Sequence, residues 1–447
     1  MAMTPEQDFV MKTIKSRDVH FVRFWFTDVL GNMKSFAVSP SEIANAFSDG
    51  MGFDGSCIAG YSPTQESDML AFPDPSTFQV LPWRPESNAV ARMFCEIKRP
   101  DGTAFEGDPR NVLRRMVTKA ADMGYIFNVG PELEYYYFKD SAGTEVLDRG
   151  GYFDLTSLDS ASDLRRDTVL SLENMGIPIE YSHHENGPSQ HEIDLRYMDA
   201  FTMADAVMTY KLVVKEIAVK HGVYASFMPK PMAGAPGNGM HVHQSLSDLD
   251  GNNLFFDSND PLGYNLTPLA KKFMAGIMKY TPELCLVTNQ YVNSYKRLAS
   301  GNEAPAFISW GKNNRSALVR IPGYRPNREE ACRIEMRLPD PAANPYLVFS
   351  VILAAGLAGI EEDLPLPPSI DDLNLFEHSD ACLIGRGFSK LPEDLGQAIT
   401  LFENSELMKE TLGEHIHSYL VSEKKAEWAS YLGTVSQWEL ERYLAVL

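Results

Sequence analysis

Two histidines on alternate residues are the first candidates for chemistry. His241 and His243 lie in the run Gly-Met-His-Val-His-Gln-Ser, residues 239–245, which has the pattern of a β-strand. Alternate strand residues share a face, so both imidazoles should point the same way. The glycine-rich approach over residues 234–239 would let backbone come close to a ligand. These features suit a metal ion and an anion; taken alone, the stretch also fits a hydrogen-bonded histidine pair at a sheet edge.

Acidic residues recur on other predicted strands of the longer, C-terminal part of the chain. They are Glu132, Glu134, Glu185, Glu192, Asp194 and Glu335. Glutamate is a poor strand former, and buried carboxylates repel one another unless cations neutralise them. Mg²⁺ or Mn²⁺ would do so, and an imidazole such as His241 can join the ligands of Mn²⁺. Each acid alone could face solvent, but a shared metal site explains all of them.

Arginines cluster between residues 290 and 340. They are Arg297, Arg315, Arg320, Arg333 and Arg337, interleaved with Glu303 and Glu335. Guanidinium groups match carboxylates and phosphates with two hydrogen bonds, and acids that hold metals beside arginines that hold phosphate are typical of phosphoryl transfer. The sequence has neither a Gly-x-x-x-x-Gly-Lys-Ser/Thr loop nor the kinase signatures, so a different fold would hold the nucleotide.

Length and composition limit the classes of protein to consider. A chain of 447 residues predicts two domains, and we place them at 1–105, a small mixed sheet, and 106–447, where strands and long helices mix in an α+β arrangement. The net charge of -20 argues against nucleic-acid and membrane partners. Five scattered cysteines, no signal-peptide pattern over residues 1–17 and no apolar run of transmembrane length predict a cytoplasmic protein with reduced thiols.

Some predicted elements bear directly on the motifs. The patterns predict strand-like runs over 125–129 and 133–138, and a helix over 265–280. They also predict a loop from Phe53 to Cys57 and place the arginine cluster on strands and loops.

Several short motifs then occur together in chain order. They are Phe53-Asp-Gly-Ser, Gly130-Pro-Glu-x-Glu, His183-His-Glu, Gly239-Met-His-x-His, Asn293-Ser-Tyr-Lys-Arg-Leu, Glu303-Ala-Pro, Asn314-Arg-Ser-Ala, Arg333-x-Glu-x-Arg and Asn344-Pro-Tyr-Leu. With this set, nearly the whole chain resembles the type I glutamine synthetases of bacteria and archaea. The resemblance implies an N-terminal β-grasp domain, a catalytic domain with a curved antiparallel sheet and flanking helices, and a dodecamer of two stacked rings with active sites between neighbouring subunits.

The resemblance also implies a role for each site residue. One metal ion would be held by Glu134, Glu185 and Glu192, and a second by Glu132, His241 and Glu335. Glutamate would bind Arg297, Arg337 and the backbone of Gly237, while Arg315 and Arg320 would face the transferring phosphate. The nucleotide would contact Glu180, His243, Ser245 and Arg333. Asp54 of a neighbouring subunit would deprotonate ammonium, Tyr152 would help bind it, and Glu303 would lie on a closing flap.

The implied reaction uses ATP and two or three Mg²⁺ or Mn²⁺ ions. ATP would phosphorylate the γ-carboxylate of glutamate, and ammonia would displace phosphate to give glutamine. A flap must exclude water, because hydrolysis of the acyl phosphate would waste ATP.

Five departures from the family pattern bear on substrate and regulation. Pro236 stands where many members have an Asn beside the substrate glutamate, which argues against that contact. Cys57 stands where the family usually has Ser, and Asn-Gly-Pro-Ser at 186–189 replaces a Val-Ala-Pro-Gly type of turn. A γ-glutamyl–amine ligase acting on a polyamine, monoamine or ethanolamine is therefore an alternative, and a catalytically silent relative is a more distant one. Pro63 replaces the Arg of glutamine-inhibited members, and Phe376 replaces the Tyr of adenylylated members, which argues against both forms of regulation.

Overall fold

A computed structural model describes residues 3–61, 67–155, 157–298 and 304–447. Its N-terminal part is a six-stranded sheet in the order β2-β1-β6-β4-β3, with β5 beside β6. The strands are β1 (Val19–Thr27), β2 (Met33–Val38), β3 (Met51–Asp54), β4 (Asp68–Pro73), β5 (Gln79–Val80) and β6 (Ala89–Lys98), preceded by α1 (Pro5–Ser16) and interrupted by α2 (Ile43–Asp49). β1 and β6 run parallel, and the other pairs are antiparallel.

Local sequence explains how this sheet is built. Thr4 and Gln7 form a capping box at the start of α1, where Pro5 fits because the first helical residues need no backbone donor. In β1, Phe24, Trp25 and Phe26 are all buried. Both faces of β1 are therefore covered. Phe24 and Phe26 pack in the core of the small sheet, and Trp25 packs in the core of the larger part of the chain.

A nine-stranded sheet forms the larger part, in the order β13-β14-β15-β12-β7-β9-β8, with β10 and β11 also paired to β7. Its strands are β7 (Ile126–Phe138), β8 (Ile179–His184), β9 (Gln190–Leu195), β10 (Met198–Asp199), β11 (Tyr224–Ser226), β12 (Met240–Ser247), β13 (Trp310–Lys312), β14 (Val319–Ile321) and β15 (Ile334–Met336). β13 and β14 are parallel, and the other pairs are antiparallel.

Helices pack around this sheet. They are α3 (Pro109–Asp122), α4 (Ser162–Asn174), α5 (Ala200–Lys220), α6 (Pro268–Thr288), α7 (Val292–Leu298), α8 (Pro345–Glu361), α9 (Asp380–Gly385), α10 (Leu395–Glu403), α11 (Glu406–Leu412), α12 (Glu414–Leu432) and α13 (Gln437–Tyr443). α6 and α8 approach so closely at Gly276 that a Cβ on this residue would lie 2.1 Å from the Ala355 carbonyl oxygen. Among the described residues, no helix combines the length and the apolar character needed to cross a bilayer.

Several element predictions were wrong in instructive ways. β7 is one strand that continues through Gly130 and Pro131, because β12 pairs along its first half and β9 along its second, so tertiary pairing outweighs the break signal. α6 runs on to Thr288 with Pro282 inside it. The predicted loop at Phe53 begins as β3, and Arg297 lies on α7 rather than on a strand or loop.

Candidate active site

A cavity of about 160 Å³ opens at the middle of the large sheet. We call it the central cavity. Its walls carry acids, arginines and aromatic side chains: Glu132, Glu134, Tyr152, Tyr181, Glu185, Asn186, Glu192, Gly237, His241, Arg297, Ala304, Arg315, Arg320, Arg337 and Phe376. Most of the residues predicted for metal and glutamate binding are therefore brought to one place by β7, β8, β9, β12 and β14, by α7 and by the loops between these elements.

Strand register sets the acids against one another in two rows. On β7 and β9, Glu132 lies opposite Asp194, and Glu134 lies opposite Glu192. Directly opposite residues share a face of the sheet, with Cβ atoms about 5 Å apart, so each row is a like-charge pair. Burial and then Glu185 raise the pKa of Glu134 to about 8, and burial and then Asp194 hold the pKa of Glu192 well above its usual range. Bound cations would neutralise these opposed carboxylates.

The first predicted metal group is joined by a histidine that the sequence analysis did not assign. His183 Nε2 lies 3.0 Å from Glu185 Oε1 and 4.0 Å from Glu192 Oε1. Glu134 Oε2 accepts hydrogen bonds from the Gly239 N–H at 2.9 Å and from Gln190 Nε2 at 3.2 Å, which fixes its direction. Ligand atoms of His183, Glu185 and Glu192 lie within 4.8 Å of one another, close enough to share one ion. The motif His183-His-Glu was the available signal.

The second group gathers around Glu132, as the alternating histidines predicted. His241 Nδ1 lies 3.3 Å from Glu132 Oε2 and 3.8 Å from Glu335 Oε1, and His243 Nε2 lies 2.7 Å from Glu132 Oε1. Arg333 Nε donates to His243 Nδ1 at 3.0 Å, so the ring proton of neutral His243 is on Nε2. Both nitrogens of His243 are thereby engaged. Burial and then Arg337 lower the pKa of His241 to about 4, so His241 is the neutral imidazole that can ligate a metal.

Arginines surround the remaining acid of this group. Glu335 is fully buried, Arg320 Nε donates to its Oε2, and Arg337 Nη1 donates to Oε1 at 2.7 Å. Burial opposes ionisation, but Arg337 and then His243 outweigh it and hold the pKa of Glu335 at about 2. Glu335 is thus a permanent carboxylate that links the metal group to the two arginines.

The glycine-rich loop comes as close to the site as predicted. A Cβ on Gly237 would lie 2.7 Å from the Pro229 carbonyl oxygen and 2.8 Å from Arg297 Cγ. One on Gly239 would lie 2.8 Å from Arg297 Nη2 and 2.9 Å from His241 Nε2. Arg297 itself donates to the carbonyl oxygens of residues 337–339, at 3.1, 2.7 and 3.3 Å. Only glycine fits at either loop position with Arg297 held in this way.

Residues predicted for the nucleotide lie beside the central cavity rather than in its walls. Ser245 is buried, and its hydroxyl forms a hydrogen bond with the Tyr197 hydroxyl, while Glu180 is exposed on β8. His243 and Arg333 form the pair described above.

Asp54, which was predicted to deprotonate the amine, is not among the residues that line the cavity of this chain. Asp54 is exposed at the end of β3, where Oδ1 accepts the Ser56 N–H at 2.8 Å and this bond lowers the pKa of Asp54. Glu303, like Pro63, lies outside the described residues. That a neighbouring subunit supplies Asp54 stays a prediction.

Aromatic rings form one wall of the cavity mouth. Tyr152 stacks on Phe153 with ring centroids 4.0 Å apart, and both rings meet His183 edge-on, at 5.3 and 4.8 Å. The Phe153 N–H donates to the His184 carbonyl oxygen at 3.0 Å, which ties the loop that carries Tyr152 to the strand that ends at the metal acids.

A buried network lies behind that strand. Asp148 accepts hydrogen bonds from Ser189 N at 2.9 Å, Ser160 N at 3.0 Å and His184 Nε2 at 3.1 Å, and His184 Nδ1 lies 2.7 Å from the Glu185 carbonyl oxygen. Both ring nitrogens of His184 face acceptors, so the ring is an imidazolium, and the pKa of His184 is raised against the cost of burial. The network positions the backbone of Glu185.

Asn186 contacts Glu185 from the cavity side. Its backbone N–H and its Nδ2 donate to Glu185 Oε2 at 2.8 and 3.1 Å. Asn186 belongs to the turn that departs from the family pattern, and this contact gives that departure a physical consequence.

Comparisons with known proteins cover nearly the whole chain. Residues 18–100 match the family model of the glutamine synthetase beta-grasp domain, and residues 106–443 match that of the glutamine synthetase catalytic domain. The glutamine synthetase of Mycolicibacterium smegmatis is 49% identical over 99% of this chain and 100% of the relative. That of Methanosarcina mazei is 49% identical over 99% of this chain and 98% of the relative.

Solved structures of similar proteins have the same fold. A GmaS–ADP complex superimposes with a TM-score of 0.88 and 31% identity, covering 98% of this chain and 99% of the other. The predicted fold class, a β-grasp domain followed by a mixed catalytic domain, is confirmed. On this evidence the chain belongs to the glutamine synthetase family.

Proposed function

We propose that this protein is a ligase that forms a carbon–nitrogen bond between ammonium and the γ-carboxylate of glutamate, at the expense of ATP, to give glutamine. The observation that carries the proposal is the central cavity, where two rows of opposed acids meet four arginines (Arg297, Arg315, Arg320 and Arg337). Near 49% identity to glutamine synthetases over the whole chain supports the reaction, and the ADP complex of GmaS supports a nucleotide in this fold.

Two divalent ions would fit the acid rows. Glu134, Glu185 and Glu192 would hold one, with His183 behind them, and Glu132, His241 and Glu335 would hold the other. Carboxylate oxygens and one neutral imidazole are a donor set for Mg²⁺ or Mn²⁺. When bound, such ions neutralise charge on a transferring phosphoryl group. A third ion is part of the family expectation.

Arginines would bind the anionic groups. Arg297 and Arg337, with the Gly237 backbone, would orient glutamate so that its γ-carboxylate meets the γ-phosphate. Arg315 and Arg320 would stabilise the negative charge that develops during transfer. Glu180, His243, Ser245 and Arg333 would border the nucleotide beside the cavity.

Attack by the amine requires a free base and a closed site. Asp54 would come from a neighbouring subunit of a dodecamer and take the proton from ammonium bound near Tyr152, and Glu303 would lie on the closing flap. The exposure of Asp54 outside its own cavity supports an active site shared between subunits. We likewise propose the domain boundary between residues 105 and 106. A cytoplasmic location stays a prediction, supported by five free cysteines.

A γ-glutamyl–amine ligase is the second candidate. It is favoured by Asn186, which replaces the usual residue and lines the cavity, and by the open aromatic wall, where Tyr152 is 43% and Phe153 58% exposed. An organic amine would find apolar surface there, whereas ammonium needs none.

Phosphate release from ATP tests both candidates. The protein would be assayed with glutamate, Mg²⁺ and either ammonium or a panel of mono-, di- and polyamines, with product identified by mass. We expect turnover with ammonium and glutamine as product. Turnover with an organic amine but not with ammonium would transfer the assignment to the second candidate, and no turnover with any amine would leave a catalytically silent relative.

A further inference from the structure

A second cavity borders the segment that leads into the glycine-rich loop, and the proposed reaction makes no use of it. It holds about 760 Å³, enough for a small organic molecule, and we call it the back cavity. The face of α5 that carries Lys211 and Lys215 forms one wall, and the chain from Tyr224 to Pro229 forms another. The hairpin turn at residues 31–33 and the start of α7 also contribute to the lining.

The back cavity is positively charged. Three lysines line it: Lys211, Lys215 and Lys296. None of the three forms an ion pair with a carboxylate in the part of the chain that the structure describes. The single acid of the described lining, Glu427, is already engaged, because its Oε2 accepts a hydrogen bond from Lys424 Nζ at 2.8 Å and its Oε1 accepts one from the Val292 N–H at 3.1 Å. In a chain of net charge -20, this cavity is suited to an anion.

Two of the lysines lie close together without a counter-ion between them. Lys211 and Lys215 are four residues apart on α5, where like charges repel across one helical turn. Lys211 is half-buried, and its Nζ lies 3.5 Å from the Ala343 carbonyl oxygen, which is a long hydrogen bond. Burial and then Lys215 lower the pKa of Lys211 to about 7, against the opposing effect of Asp340. An anion bound between the two lysines would offset both their repulsion and the cost of burial.

Apolar side chains form much of the remaining lining. Met208 and Leu212 lie on the same face of α5 as the lysines, at the three- and four-residue spacing of a helix. On the other wall, Tyr224 is 42% and Met228 43% exposed, so their apolar surface is open to a ligand. Methionine adapts its shape to irregular partners. Such a lining favours an anion with an apolar body over a fully polar ion such as inorganic phosphate.

We propose that the back cavity binds a small organic anion in which an acidic head group is joined to an aliphatic or aromatic body. The head group pairs with Lys211 and Lys215, and the body packs against Leu212 and Met228. The site is distinct from the central cavity, because the two cavities have no lining residue in common among the described residues.

The segment that lines the back cavity also shapes the central cavity. The carbonyl oxygens of Met228 and Pro229 accept hydrogen bonds from Asn238, from its Nδ2 at 2.9 Å and its N–H at 2.8 Å. Pro229 is also the nearest neighbour that a Cβ on Gly237 would meet. A ligand against Met228 therefore contacts the segment that carries Gly237, and its binding is coupled to that of glutamate. This coupling rests on the proposed function, whereas the anion site does not.

Anilinonaphthalene sulfonate serves as the probe, because it joins an anionic head group to an aromatic body and its fluorescence rises on binding. It is titrated into the full-length protein with saturating Mg²⁺ and ADP, which keep it out of the proposed nucleotide site. We expect the double variant Lys211→Gln, Lys215→Gln to weaken binding at least about tenfold, and Lys211→Arg, Lys215→Arg, which keeps both charges, to weaken it less than about threefold. The matched control is Lys220→Gln, an exposed lysine of the same helix outside the cavity lining, which should leave the dissociation constant unchanged.

Competition on the wild-type protein needs no variant. Octanoate and octyl phosphate should displace the probe, and octanol, which has the same apolar body without the charge, should do so at least about tenfold less well. The better competitor of the two anions identifies the head group as a carboxylate or a phosphate. Displacement by octanol as effective as by the anions, or unchanged probe binding in the glutamine double variant, would overturn the site. If the variants do not fold, the competition decides alone.

Glutamate tests the coupling separately. Its addition should change the dissociation constant of the probe at least about fivefold. A lysine-dependent site that glutamate leaves unchanged would overturn the coupling and keep the anion site. Failure of the proposed reaction in its own phosphate-release assay, with lysine-dependent probe binding intact, would overturn the proposed function and leave the anion site standing.

Discussion

Replacing a metal acid should stabilise the metal-free protein. Glu134 faces Glu192 and is placed in the first metal group, and its pKa of about 8 in the folded chain compares with 4.5 for an ordinary glutamate. Between these pH values the folded state binds a proton that the unfolded state releases, so the stability of the metal-free protein falls as pH rises from about 4.5 to about 8.

The size of the effect follows from that difference. At 1.36 kcal/mol per pKa unit, the interval from 4.5 to about 8 corresponds to about 5 kcal/mol at most. Glu134 lines a cavity open to solvent, and screening reduces the value to about 3 kcal/mol. Glu134→Gln cannot ionise. We expect the metal-free variant to match the wild type near pH 5 and to be about 3 kcal/mol more stable near pH 8.5.

Metal should remove most of this difference. The wild type gains about 2.7 kcal/mol when Mn²⁺ is present at 100 times its dissociation constant, and the neutral amide of Glu134→Gln forfeits most of that gain. Urea unfolding at pH 5 and 8.5, with EDTA or with Mn²⁺, measures all four states. Glu145→Gln is the control, because Glu145 is exposed beyond the end of β7 and should show neither effect. A metal-free Glu134→Gln protein less stable than the wild type at pH 8.5, or equal stabilisation of both proteins by Mn²⁺, would refute the reasoning.

Three further substitutions probe the walls of the site. Gly237→Ala should raise KM for glutamate at least about tenfold in steady-state assays, because its Cβ would displace Arg297; an unchanged KM would contradict the proposed glutamate contact. Asp148→Asn removes the charge from the hydrogen bond to His184, so it should lower Tm and should reduce kcat/KM for ammonium more than it alters KM for ATP. Equal losses for both substrates would indicate a merely structural role. Asn186→Val should weaken Mn²⁺ binding about three- to tenfold by calorimetry, since it removes one donor to a metal acid, and unchanged binding would argue against that contact.

Side-chain alternation was the part of the site that the sequence could predict. Glu132 with Glu134, and His241 with His243, were expected to share faces because strands repeat every two residues; both acids line the cavity, and both histidines contact Glu132. The motif resemblance carried the rest of the assignment, including the β-grasp domain.

Strand register could not be predicted. The opposition of Glu132 and Asp194 depends on how β7 and β9 align, and no local pattern fixes that alignment. Tertiary pairing also decided that β7 continues through Pro131. The bond from Arg333 to His243, which distinguishes the two histidines as metal ligands, joins residues ninety positions apart.

Oxygen transfer from glutamate to phosphate tests the proposed reaction most directly. Glutamate labelled with ¹⁸O in its γ-carboxylate would be incubated with the protein, ATP, Mg²⁺ and ammonium, and the released phosphate analysed by mass spectrometry. Reaction through γ-glutamyl phosphate predicts one ¹⁸O in each phosphate released, because the carboxylate oxygen that attacked ATP leaves with the phosphoryl group. Unlabelled phosphate formed in step with product would contradict the account, since ATP would then be cleaved without activating the carboxylate.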